Sequence, residues 1–307
     1  MAGTHTNQHI VCQAYLNRFA TPRGKQYIIG TRLQSSKQGV KLFTNSVETV
    51  AYIENYYDTC AQKDKKFWEH YLDKQFDALC GKPLENIVAK ITLCPTGKEV
   101  LAEEDKALLS RIIMSQVFRV PAFLDDTVAK SERMLDSYKQ EILQNLSPLF
   151  ESQRDVIKQI SFDVDERKDI VLSGVFDEKR FQRFCDVLQQ KIWVVFYNSI
   201  RSVMPFITSD NPVVVADIKG GARKITSVGL ESKKAVILYP LTPSILIGIY
   251  FADLFLGKTE KFERQRILTD DMKFITNVNL LIMRQSHLHS FLPEPLFSSV
   301  KASEKRE

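Results

Sequence analysis

Cysteine pairs, long apolar runs and charge of one sign are all scarce in this chain of 307 residues. The five cysteines, Cys12, Cys60, Cys80, Cys94 and Cys185, are odd in number, widely spaced and never in Cys-x-x-Cys register. That argues against a zinc knuckle or a disulfide framework, and a reducing cytoplasm is the expected setting. The first nine residues lack the basic-then-apolar order of a signal peptide. The most apolar region, 235–257, is interrupted by Pro240, Thr242, Pro243 and Asp253, and its pure runs fall far short of the roughly 20 residues a membrane span needs. Two buried strands joined by a turn account for it, so no membrane partner is expected. Basic residues number 42 against 37 acidic, a net charge of +5. This mild excess permits a nucleic-acid partner without arguing for one. Gly-x-Gly-x-x-Gly, the Walker loop, His-Glu-x-x-His and Gly-x-Ser-x-Gly are absent, against dinucleotide oxidoreductases, P-loop enzymes, zincins and α/β-hydrolases.

What is present is ample core material, 44% hydrophobic residues, enough for a single folded domain over 1–300 with a frayed tail at 301–307. Cys12, Tyr15, Leu16 and Phe19 make one apolar helical face, which predicts a short helix over 7–19 with Asn7 as its cap. The segments 25–31 and 40–44 read as a hairpin, and 47–57 as irregular or briefly helical. Helical spacing follows over 65–90 and breaks at Cys94-Pro95-Thr96-Gly97. It resumes over 102–120 and 124–146, and again from Asp177 to about Tyr197. Beyond Met204 the texture changes to strands at 206–208, 213–216, 235–239 and 245–251, and a helix over 270–287 closes the fold. The reading is α+β: a mostly helical body with an N-terminal β-hairpin and a C-terminal antiparallel or mixed sheet.

Polar residues that interrupt apolar faces are the site candidates. On the wheel of the 102–120 helix, Gln116 lies at the centre of the arc of Leu109, Ile112 and Ile113, with Arg119 beside it. Each needs a buried partner, and a core network competes with a pocket floor as the explanation. His9 and Gln13, four apart, form a pair in which the amide fixes one ring nitrogen and leaves the other as a base; simple anchoring of the helix is the competing role. Ser209, Asp210 and Asn211, between two strand segments and before Pro212, supply a hydroxyl, a carboxylate and an amide, or else form a turn. The basic loop containing Arg223 and Lys224 could close over phosphate or serve only as a connection. Glu54, Glu69 and His70 are weaker candidates, and His287 and His289 suit a helix C-terminus.

His9-x-x-x-Gln13-x-Tyr15-Leu16-x-x-Phe19, Gln116-x-x-Arg119-x-Pro121, Phe206-Ile207-Thr208-Ser209-Asp210-Asn211-Pro212 and Tyr239-Pro240-Leu241-Thr242-Pro243, in that order, resemble the bacterial family called domain of unknown function 4238. Two departures stand out: Cys12 replaces the proline of the family's usual His-x-Val-Pro-Gln, and Asn17 stands where a basic residue is common. The resemblance implies a bacterial cytoplasmic protein and a shared set of motif residues, but no reaction. The expectation is a hydrolase acting on a phosphodiester or nucleotide, nuclease-like, in the manner of a toxin or phage-defence effector. His9 would be the general acid or base, Arg119 the phosphoryl clamp, and Asp210 the group that orients His9 or holds a divalent metal, with Glu54 as a second acid. Gln13, Gln116 and Asn211 would fix the substrate, assisted by Ser209, Arg223 and Lys224. The alternative is a noncatalytic ligand-sensing or protein-interaction module using the same polar pocket.

Overall fold

The computed structural model describes residues 7–23, 25–33, 40–59, 62–217, 222–223, 232, 235–250 and 260–293. The chain opens with β1 (Asn7–His9), α1 (Gln13–Leu16) and a 3₁₀ turn at Asn17–Phe19. Next come β2 (Thr21–Arg23), β3 (Lys25–Leu33), β4 (Val40–Ser46) and β5 (Tyr52–Glu54). The helical body comprises α2 (Phe67–Gln75), α3 (Lys82–Leu93), α4 (Glu103–Arg119), α5 (Pro121–Gln144), α6 (Arg154–Gln159), α7 (Val164–Val175) and α8 (Glu178–Gln189). Strands β6 (Ile192–Asn198), β7 (Thr208–Ser209), β8 (Val214–Asp217), β9 (Ala222–Arg223), β10 (Ala235–Thr242), β11 (Ile245–Tyr250) and β12 (Arg266–Thr269) precede α9 (Met272–Gln285) and β13 (His289–Leu292). The fold is α+β.

Six strands form the central sheet, in the order β12-β6-β11-β10-β8-β9, antiparallel except for the parallel pair β12 and β6. Its middle strands β10 and β11 are apolar over nearly their whole length because both faces are covered. Ile237 and Tyr239 of β10, Val215 of β8 and Ile245, Ile247 and Ile249 of β11 join the core shared with the helical body. Their alternates Val236, Leu238, Val214, Ala216 and Leu246 pack on Ile275, Val278 and Ile282 of α9. The period of two thus assigns each residue to one of two cores. A second sheet, β2-β3-β13-β7 with β4 on β3, brings the N-terminal hairpin and the last strand together.

The expected hairpin is β3 and β4, and residues 235–250 form two buried strands turned at Pro243-Ser244, as the prolines suggest, while 251–257 lie outside the described residues. Among the described residues no single helix is long and apolar enough to cross a membrane. Two readings are corrected. Residues 7–9 form a strand paired with β5, not the first turn of a helix. The apolar helical face of Tyr15 and Leu16 is real but begins only at Gln13, while Gln8 is drawn inward by polar partners that periodicity does not register. The helix expected to run to Tyr197 ends at Gln189, and Ile192–Asn198 is a central strand. A continuous apolar run has no period to separate buried strand from buried helix. Strands β2, β9, β12 and β13 match no segment read as strand from the sequence, and the 47–57 stretch, read as irregular or briefly helical, holds a 3₁₀ turn followed by β5; the tail at 301–307 lies outside the described residues.

Ile247 is fully buried in the middle of β11. Ile247→Ala is expected to destabilise the fold by about 2–5 kcal/mol in urea unfolding. A loss well below 1 kcal/mol would contradict the placement of this side chain in a packed core.

Candidate functional site

The N-terminal segment is held against α4 by two polar side chains of that helix. Gln116, 4% exposed, donates from Nε2 to the carbonyl of Ile10 at 2.7 Å. One helical turn later, Arg119 donates from Nη2 to the carbonyl of His9 at 2.5 Å and pairs through Nη1 with the carboxylate of Asp77. Its Nε approaches the hydroxyl of Tyr57 at 3.5 Å, and that hydroxyl donates to the Arg119 carbonyl at 2.8 Å. Burial alone would lower the guanidinium pKa, but Asp77 and Tyr57 more than offset it and hold it above the ordinary value. A fully paired, permanently charged arginine can fix a backbone carbonyl that a neutral group would hold more weakly.

Arg119, Gln116 and the pairing of β1 with β5 place His9 at the wall of a cleft of about 640 Å³. Gln13, the first residue of α1, sets its amide nitrogen 3.0 Å from His9 Nε2 and 3.4 Å from Nδ1. Burial lowers the His9 pKa below its ordinary value, although a hydrogen bond with the Glu48 backbone acts in the opposite direction. The ring is therefore neutral at physiological pH and, once the Gln13 amide yields, can accept a proton. Cys12 and Asp77 line the same wall. Helix α2 and its N-cap contribute Lys66, Glu69, His70 and Asp73 to the lining.

Other sequence candidates lie elsewhere. Asp210 is 1% exposed and its carboxylate accepts three backbone N–H groups, from His287 at 2.7 Å, Leu288 at 2.7 Å and His289 at 2.8 Å. These tie the end of α9 and the start of β13 to β7. Asn211 donates its amide to the Gln285 carbonyl at 2.8 Å, and its own N–H is accepted by Ser209 Oγ at 3.1 Å, a local turn. None of the three lines the cleft. Asp210 thus does not orient His9, and its oxygens are already engaged; Arg119, likewise, is engaged by protein acceptors rather than open to phosphoryl oxygens. Arg223 sits in the edge strand β9, and Lys224 lies outside the described residues. Glu54 belongs to β5 and is absent from the cleft lining. Among the described residues no group of three or more His, Cys, Asp and Glu could hold a metal ion. The divalent metal admitted by the sequence has no fitting donor set there.

A family model described as Protein of unknown function (DUF4238) matches residues 7–292. The chain belongs to this family. No curated protein and no solved structure gives a match.

The motif residues are joined by hydrogen bonds more than by a common cavity. Tyr15 donates to the Pro240 carbonyl at 2.7 Å and accepts from Thr208 at 2.8 Å, and its ring stacks on Tyr239, linking three of the four motifs. The lining residues that sequence reasoning missed include Lys66, Asp73, Asp77 and Cys12, and it ranked Glu69 and His70 too low. A buried Arg119 demands an acid, but nothing in the local pattern around Asp77 identifies it as that acid. Glu69 and Asp73, four apart, share one face of α2, and Asp77, four further on, opens the 3₁₀ turn that follows it; that spacing of four is the signal the sequence carries.

Asp210→Ala should cost roughly 3 kcal/mol in chemical denaturation, because three buried amides lose their acceptor. Loss of function in a variant as stable as the parent would contradict a purely structural Asp210.

Proposed function

We propose that the cleft is a hydrolytic acid–base site in which His9 is the general base and the substrate is a nucleotide-sized phosphoester. The observation that carries this reading is an imidazole kept neutral by burial, facing a cleft large enough for such a ligand, with Gln13 fixing the ring. In this scheme His9 takes the proton of an attacking water as its oxygen bonds to phosphorus, the bond from phosphorus to the leaving ester oxygen breaks with its electron pair going to that oxygen, which is protonated by solvent water, and Gln13 turns its amide from the ring to the substrate. Lys66, a lining cation without an ion pair among the described residues, meets the phosphoryl charge. The substrate is small because Glu69, Asp73 and Asp77 outnumber Lys66 and Arg119 along the lining, and a polynucleotide needs a track of uncompensated cations.

A second reading, a noncatalytic ligand-sensing pocket, is favoured by one observation: Arg119, the strongest candidate for stabilising developing negative charge, is already bound to Asp77 and the His9 carbonyl. A pocket that recognises a ligand without transforming it needs no such group.

Purified protein incubated with labelled nucleotides, RNA and DNA, with and without magnesium, separates the two readings. If His9 is the base, nucleotides turn over and His9→Ala lowers kcat by roughly 10²–10⁴ with little change in melting temperature. Ligand binding by calorimetry without turnover supports the sensor, and neither binding nor turnover of any phosphoester removes the substrate class. The acid limb of kcat/KM should have its midpoint below 6.5, the ordinary value for histidine. Stability follows the same proton. The unfolded chain protonates this histidine first as pH falls through 6.5, so stability declines from there toward the lower folded pKa, and His9→Ala should flatten that decline.

A further inference from the structure

Helix α5 changes character halfway along its length. Its first half is anchored by Pro121, Leu124 and Val128, all buried. Its second half carries no buried side chain and instead presents Met134, Tyr138 and Ile142 to solvent, at 56%, 57% and 49% exposure. The spacing of four places these three on one ridge of the helix, the arrangement that packs into the matching groove of another helix. Leu149 and Phe150, just beyond the helix, add 87% and 58% exposed apolar side chains. A monomer rarely leaves so many large apolar groups in one stretch of chain uncovered.

The charges beside this ridge indicate what covers it. Glu132, Asp126 and Asp136 are paired within the chain, with Arg167, Lys130 and Lys139. Arg133 and Glu141 are exposed and make no ion pair among the described residues. They lie on the ridge adjacent to the apolar one, separated by Ser137, with the positive group toward the N-terminus and the negative group two turns later. A parallel copy of the helix would set like charges opposite each other. An antiparallel copy related by a two-fold axis near Ser137 and Tyr138 sets Arg133 against the partner's Glu141 twice, and Met134 toward the partner's Ile142. The small Ser137 at the crossing lets the helices approach. This pattern is self-complementary, as a two-fold interface requires.

We propose that the second half of α5 is a homodimer interface, covered by the same surface of a second copy of this chain in antiparallel orientation. Sedimentation of the full chain over a concentration series tests it. The parent chain should sediment at twice the chain mass, dissociating on dilution. Tyr138→Lys, and independently Met134→Ser, should give the chain mass throughout with an unchanged circular dichroism spectrum, since both side chains are exposed. Arg133→Glu and Glu141→Arg should each raise the dissociation constant roughly tenfold, and the double reversal should restore it. A parent chain of single mass at every concentration, or a dimer indifferent to both Tyr138→Lys and Met134→Ser, would overturn the interface. A double reversal no tighter than the single ones would overturn the antiparallel second copy.

Discussion

A guanidinium taken out of water carries a desolvation cost of several kcal/mol, and the fold offsets it at Arg119 by surrounding the group with acceptors. Asp77 supplies the counter-charge, the His9 carbonyl and Tyr57 take further bonds, and the side chain is left 5% exposed. The consequence is positional. Arg119 is the last residue of α4, Asp77 opens the 3₁₀ turn after α2, and His9 closes β1, so one charge fixes three elements that have no sequence proximity. The cleft exists because these three are held apart and yet pinned to a common point.

The same logic recurs on the far side of the central sheet with the charge reversed. Asp210 gathers three amides where α9 gives way to β13, and Asn279 in α9 accepts the Ile207 N–H at 3.1 Å and donates to the Pro205 carbonyl at 2.9 Å. Gln285 closes the clamp, accepting from the Val215 N–H and donating to the Val215 carbonyl. Short irregular stretches between strands leave backbone groups that no ladder satisfies, and buried polar side chains take their place. Conspicuous polar motifs therefore need not be binding motifs. Of the motif residues, Gln116, Tyr15 and Asp210 bind the chain to itself, while His9, Gln13 and Arg119 line the cleft.

Sequence reasoning went furthest where one physical rule decides the outcome. The helical phase of Leu109, Ile112 and Ile113 placed Gln116 and Arg119 inward, and both are 4% exposed. Proline and glycine marked the breaks at Cys94 and Pro243. It went astray where two rules compete. The run Ile192 to Asn198 is buried on both faces and so shows no period, and Gln8 looks like a polar helix residue although it is fully buried beneath Tyr57, Asp58 and Glu69. The candidate site was half legible for the same reason. Burial logic identifies a polar side chain that needs a partner, but an aspartate satisfied by backbone amides and one facing a cleft have the same local sequence appearance. Which of Asp77 and Asp210 meets the inward arginine depends on tertiary contacts between elements 42 and 91 residues from it, respectively.

Arg119 and Asp77 act as one unit that frames the cleft. A double-mutant cycle on stability, with Arg119→Met, Asp77→Asn and the combined variant, measures this directly. The combined loss should be smaller than the sum of the single losses by about 2–3 kcal/mol, since either partner alone is left as an uncompensated buried group. Losses that simply add would contradict it.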